Sequence, residues 1–133
     1  MSSPKQDLLR YRMSRAREAL NDADAALHEE RWNEASNRIY YAMLYATTAL
    51  LATRDLSSSR HSGAISLLHE HFVRPGTFPR HLAHQLSAAF DMRTESDYQD
   101  FAEPDPVRLR EMHGQALAFV GTVEKLLPDP EKL

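Results

Sequence analysis

Arg93 breaks the pattern around it. Leu82, Leu86, Ala89 and Phe90 repeat at helical spacing, and Arg93 falls in the middle of the face they form, four residues before Asp97 on the same side. A guanidinium in such a place needs paired oxygens, because an uncompensated buried charge is strongly destabilising. Asp97 is the obvious partner, yet it stands near a helix C-terminus, where the macrodipole disfavours a carboxylate. Local helix stability therefore does not explain the pair. Two readings stay open on these residues alone: an internal ion pair that fixes packing, or a cation turned toward an anionic ligand.

A second concentration of polar tips lies in Arg38-Ile39-Tyr40-Tyr41-Ala42. Arg38, Tyr41 and Tyr45 share one flank at spacings of three and four, so a cation and two phenols can line one wall and meet a phosphate or a base. Phenols also fill half-buried positions with their hydroxyls in water, the commoner use of such a spacing. His61 opens a helix, where the N-terminus favours anions, and it can bring an imidazole to the same region. The expectation is one anionic-ligand pocket in which Arg93 and Arg38 converge, with Tyr41 and His61 at its rim. Guanidinium groups suit it because they grip phosphate oxygens in a bidentate fashion. His69, His71, His81 and His84 straddle a turn, with His81 and His84 on a shared face. Zinc would need their nitrogens to converge at about 2 Å from the ion, and the spacing shows no such convergence, so neither a metal nor another cofactor is expected.

The elements that position these residues read as all helical, an up-and-down bundle of about five helices. Helix one spans about Asp7 to Glu30, with Leu8, Tyr11, Ala16, Ala19, Leu20, Ala23, Ala26 and Leu27 largely on one side. Asn33 is the expected cap of helix two, which runs to about Arg54. That helix carries Ala35, Ile39, Ala42, Ala46, Ala49 and Leu50 on one face and Tyr40, Leu44 and Leu51 on the opposite one. It therefore needs burial on two sides, from a central place in the bundle or from a second subunit. The sequence leads us to expect a symmetric homodimer through Leu44 and Leu51. Ser57-Ser58-Ser59 offers caps for helix three, about Arg60 to Val73. Helix four starts near Pro79 and ends near Tyr98, Gln99 to Glu103 form a loop, and Asp105-Pro106 is an N-cap with proline at the first position of helix five.

Three segments in order resemble the HEPN domain family in its small stand-alone branch: Ala35-Ser36-Asn37-Arg38-Ile39-Tyr40-Tyr41-Ala42-Met43, then Arg60-His61-Ser62-Gly63, then Arg93-Thr94-Glu95-Ser96-Asp97-Tyr98. With helix one, the resemblance covers roughly residues 7 to 127 of a single domain spanning 1–133. It implies a helical bundle that commonly dimerises and is often encoded beside a minimal nucleotidyltransferase, with members acting as RNases in toxin-antitoxin pairs and others binding nucleotides without chemistry. The ribonuclease members carry an Arg, four residues, a His, one residue and a Tyr. Here Arg93 is followed by three residues, Asp97 and Tyr98, so the histidine is missing. Arg93 carries over as a phosphate contact, Asn37 or Arg38 as the polar position of helix two that faces the site, and Tyr98 as the tyrosine that receives AMP from the transferase in some such systems. Metal-independent RNA cleavage needs a group that takes the 2′-hydroxyl proton, a task for imidazole near neutral pH. Asp97 paired with Arg93 makes a poor base, because the pairing lowers its pKa. The candidate catalytic set is Arg93, Asp97 and His61, and the candidate ligand-binding set is Asn37, Arg38, Tyr41, Arg93 and Tyr98.

Composition closes off other classes. With no cysteine, disulfide frameworks, thiolate nucleophiles and cysteine-bound metals are excluded. Sixteen Lys plus Arg against nineteen Asp plus Glu give a net charge of −3, so RNA or nucleotide binding must use a local patch. No apolar run approaches the ~20 residues that span a bilayer, and a cytoplasmic protein without membrane contact is expected. Lys5, Arg10, Arg12, Arg15 and Arg17 against Asp7 form a basic N-terminal stretch, spread around the helix as a solvated face would be. The alternative function is a helical interaction adaptor. Trp32, Ala35 and Tyr40 suggest a tetratricopeptide pair, but no second copy follows at the period of about 34 residues.

Overall fold

The computed structural model describes residues 3–98 and 103–128, with side chains through residue 95 in the first stretch. The helices are α1 (Pro4–His28), α2 (Trp32–Ala52), α3 (His61–Leu68), α4 (Arg80–Tyr98) and α5 (Pro106–Leu126), and a π-helical turn (His69–Val73) extends α3. No strand occurs among the described residues. The all-helical bundle expected from the sequence is the observed architecture.

α2 packs against all four other α-helices. Leu44 and Leu51 are 5% and 1% exposed within the single chain, so they are core residues and not a dimer face. The two-sided apolar pattern is met by the central position of α2, which corrects the expectation of an interface through this pair. Alanines at 35, 42, 46 and 49 leave room for neighbouring helices to come close on one side. Phe78 and Phe119 meet edge to face at 5.0 Å in the same core.

α1 and α2 each end by the same device. Glu30 and Asp55 take a left-handed φ of 58°. The next amide in each case, Arg31 or Leu56, bonds back to Ala26 or Leu51 at 2.8 and 3.0 Å. This six-residue closure is the Schellman arrangement, here without the glycine that usually supplies it. Because it carries the chain straight into α2, the helix begins at Trp32, its N-cap residue Arg31 makes no side-chain cap, and Asn33 is an exposed residue inside the first turn.

The serines before α3 likewise do not cap it. Its N-cap is Arg60 without a side-chain bond; Ser58 Oγ instead accepts from the Arg60 amide at 3.2 Å. That oxygen fills the space above Gly63, where a Cβ would stand 2.0 Å from it. Asp105 does cap α5, accepting from the Val107 amide, with Pro106 in the first turn. Pro79 lies just ahead of α4. On α1, Leu8 and Tyr11 are 38% and 59% exposed, so the buried stripe starts instead from Leu9 and Ala16. Of the expected loop, residues 99–102 lie outside the described residues.

Leu51→Ala should lower unfolding free energy by about 2–5 kcal/mol, as for other buried leucines. Sedimentation of the folded variant should give the same mass as the parent. A variant that keeps its stability but changes its mass would return Leu51 to an interface.

Candidate functional site

Beyond its first turn, burial leaves α2 a narrow strip of partly exposed residues: Asn37, Arg38, Tyr41, Tyr45 and Thr48. Their spacing of three to four places them along one line of the helix. Tyr41 is the hinge of the arrangement. The Arg38 guanidinium lies 5.2 Å from its ring centroid and that of Arg93, arriving from α4, lies 5.4 Å from it. Such contacts contribute roughly 0.5–1 kcal/mol each where exposed and more where water is excluded. Asn37 Oδ1 accepts from both Nε and Nη2 of Arg38, at 3.0 and 2.9 Å, which holds that guanidinium in a fixed plane.

Tyr40, the next residue, points about 100° away and is fully buried. It packs on Tyr41 at 5.2 Å, Phe90 at 5.5 Å and His61 at 5.7 Å, and Arg93 stands 5.7 Å from its ring. Its hydroxyl has no hydrogen-bond partner among the described residues. Burial, and then Tyr41, push the Tyr40 phenol well above its ordinary range, so it stays protonated and can donate. His61 completes the cluster, with its ring 5.7 Å from Tyr41 as well as from Tyr40. Burial first and the Arg93 charge second hold the His61 pKa below its ordinary value, so the imidazole is neutral at pH 7.

The structure thus brings together five residues singled out from the sequence: Asn37, Arg38, Tyr41, His61 and Arg93. The side chains of Asp97 and Tyr98 lie outside the described residues, and with them the proposed Arg93 to Asp97 pair. Tyr40 and Phe90 escape sequence reasoning because both read as core; Tyr40 is buried there and Phe90 packs half-buried against it. A further extension runs onto α1, where Arg15 lies 5.0 Å from the Tyr45 ring and 5.9 Å from that of Tyr11. Its Nη2 donates to the Tyr45 hydroxyl at 3.0 Å. The i, i+4 spacing of Tyr11 and Arg15 was the available signal.

The rest of the basic stretch of α1 is largely tied to acids: Lys5 to Asp55, Arg10 to Asp7 and Arg17 to Glu124. Arg12 donates to the Thr48 carbonyl at 2.9 Å. These pairs are exposed, and the face is a solvated one. Of the remaining histidines, His69 and His84 have ring centroids 6.1 Å apart, while His81 and His84 are exposed. Among the described residues no three of His, Asp or Glu are arranged to hold a metal ion. No helix among the described residues is long and apolar enough to cross a membrane.

A helical bundle whose central helix shows one cation-and-tyrosine wall, faced by an arginine of α4 and a histidine of α3, is the class of protein that the fold and site define. The chain matches the HEPN domain family model over residues 9–127, and it belongs to the HEPN family. It is similar to the UPF0332 protein of Thermotoga maritima, with 35% identity over 125 residues, 94% of this chain and 95% of that protein. It is also similar to the UPF0332 protein glr0978 of Gloeobacter violaceus, with 37% identity over 98 residues, 74% of this chain and 75% of that one. The Methanocaldococcus jannaschii protein named "Putative toxin MJ0605" is 25% identical over 114 residues, 86% of this chain and 84% of its own.

The lowered pKa of His61 sets a direction for stability. As pH falls through about 6.5 the unfolded chain binds a proton that the folded protein refuses until lower pH. The contribution is therefore complete above that range and lost as pH falls below it. Thermal unfolding at pH 8 and pH 5.5 should show a smaller acid-induced drop in Tm for His61→Gln than for the parent. An identical drop would mean that the imidazole titrates as in water.

Proposed function

We propose that this protein is the HEPN member of a toxin-antitoxin-type pair and binds RNA or nucleotides at the Arg38, Tyr41, His61 and Arg93 wall. The single observation that supports it is the convergence of two guanidinium groups, from α2 and α4, on one tyrosine ring. Two forks of that kind can hold phosphate oxygens while the exposed edge of the tyrosines meets a base. The toxin name of a relative along most of its length agrees with the reading.

His61 supports a weak, metal-independent ribonuclease activity. A neutral imidazole can take the 2′-hydroxyl proton, and the neighbouring Arg93 can steady the phosphate charge that develops. The family's ribonuclease motif has its histidine five residues after the arginine; in this reading the imidazole comes from α3 instead. A minimal nucleotidyltransferase as partner and a homodimeric assembly belong to the same proposal. Their support is the family, since Leu44 and Leu51 are inside the chain.

Titration of the parent and Arg93→Lys with short single-stranded RNA, at low and moderate salt, tests the reading. The lysine keeps the charge and loses the fork, so affinity should fall about tenfold, or ~1.4 kcal/mol. Both proteins should weaken as salt rises. Equal affinities, or no binding by either, would leave a helical interaction adaptor as the better description. Sedimentation of the parent in the same buffer should give twice the chain mass, and a monomer at micromolar concentration removes the dimer.

Tyr98 is the proposed acceptor of AMP in that pair. Incubation with ATP and the cognate transferase should add adenylyl mass to the parent and none to Tyr98→Phe. The added phosphate brings negative charge to the segment that carries Arg93 and should weaken RNA binding. An unchanged parent mass would end this part of the proposal.

A further inference from the structure

The π-helical turn at His69–Val73 stands away from that wall. His61 and His69 are eight residues apart on one continuous helical segment, about 12 Å along its axis. Arg80 and Arg93 lie toward opposite ends of α4, about 20 Å apart on the same measure. The Arg74 amide bonds to the His69 carbonyl at 2.8 Å, five residues back. In an α-helix those two side chains would point about 140° apart, whereas the wider turn brings them toward one side. Phe72 and Val73 anchor the turn in the core. Arg54 braces its other side, with its guanidinium 4.1 Å from the Phe72 centroid and a hydrogen bond of 2.7 Å to the His71 carbonyl.

Beside this turn lies a cavity of about 520 Å³, lined by Ile65, Ser66, His69, Glu70, Val73, Arg74 and Arg80. Its size falls in the range of about 300–1,000 Å³ that small-molecule sites occupy. Among the described residues neither the Arg74 nor the Arg80 side chain makes an ion pair or a hydrogen bond. The one acid of the lining, Glu70, has a carboxylate oxygen 3.8 Å from His71 Nε2. Two arginines against one acid leave the lining positive, and Ile65 and Val73 supply an apolar wall.

We propose that this cavity is a second binding site, separate from the α2 wall, for a small organic phosphate about the size of a nucleoside monophosphate. Arg74 and Arg80 take the phosphate, while the organic part lies against Ile65 and Val73 with the His69 imidazole beside it. Burial, then His84 and Arg80, hold His69 below its ordinary pKa, and the negative charge of the ligand is what that environment lacks.

The test uses the full chain with AMP and inorganic phosphate as probes, read on the methyl resonances of Ile65 and Val73. AMP should shift them in a saturable way at sub-millimolar concentration, and inorganic phosphate should displace it only when at least tenfold more concentrated. The Arg74→Ala/Arg80→Ala double variant, altered only at exposed positions, should keep its Tm and lose tenfold or more in AMP affinity. Arg93→Lys should leave these methyl shifts intact whatever it does to RNA binding, so failure of the α2 wall and failure of this site are read separately. The proposal is overturned if AMP leaves these methyls unmoved, if the double variant binds as the parent does, or if phosphate binds as tightly as AMP.

Discussion

The fold depends on the double-sided burial of α2. A helix whose apolar residues occupy opposite faces can be satisfied only from the middle of a bundle, and α1, α3, α4 and α5 all pack on it. Ile39, Tyr40, Met43, Leu50 and Leu51 are consequently lost to solvent, and so is Thr47, whose hydroxyl donates to the Met43 carbonyl. Beyond its exposed first turn, what remains of α2 for water is the strip from Asn37 to Thr48. The candidate site lies on that strip because it is a part of the central helix open to solvent whose side chains still touch others anchored in the core.

The Tyr40 and Tyr41 pair converts that constraint into geometry. Adjacent helical residues diverge by about 100°, so one phenol enters the core and the other stays at its edge. The buried ring fixes the position of His61 and Phe90 around it, and the half-buried ring is the surface on which Arg38 and Arg93 come to rest. A guanidinium on a rigid aromatic face loses less freedom on meeting an anion than one at the end of a free side chain. The same packing keeps His61 neutral, through burial and the nearby positive charge.

Charge placement follows a different logic from total charge. The net charge of −3 disfavours broad electrostatic attraction to nucleic acid. Most basic residues of α1 are spent on exposed ion pairs, which contribute little to stability and leave little field. Arg15, Arg38 and Arg93, reaching in from α1, α2 and α4, lie over the neighbouring rings of Tyr45 and Tyr41. For the proposed ligand, contacts at such a surface would be short-range, through planar forks and ring faces, which suit a small or single-stranded molecule better than a duplex.

Periodicity in the sequence was enough for the five helices, the Asp105-Pro106 start of α5 and the need of α2 for burial on two sides, because each follows from where apolar residues and local caps fall along one chain. It also singled out Arg93, whose charge interrupts an apolar face, and the flank shared by Arg38 and Tyr41. The Schellman ends at Glu30 and Asp55 gave no such signal, since neither is the expected glycine, and so the caps assigned to Asn33 and the serines were misplaced. Leu44 and Leu51 show the other limit: a second apolar face looks alike in sequence whether another helix or another subunit covers it. Only the tertiary structure decided that four helices of the same chain do so, and only it brought His61 against Tyr40 and Arg93 over Tyr41. Those contacts join α2, α3 and α4 across long separations in sequence, and the distance between such residues is set by packing, which no local pattern records.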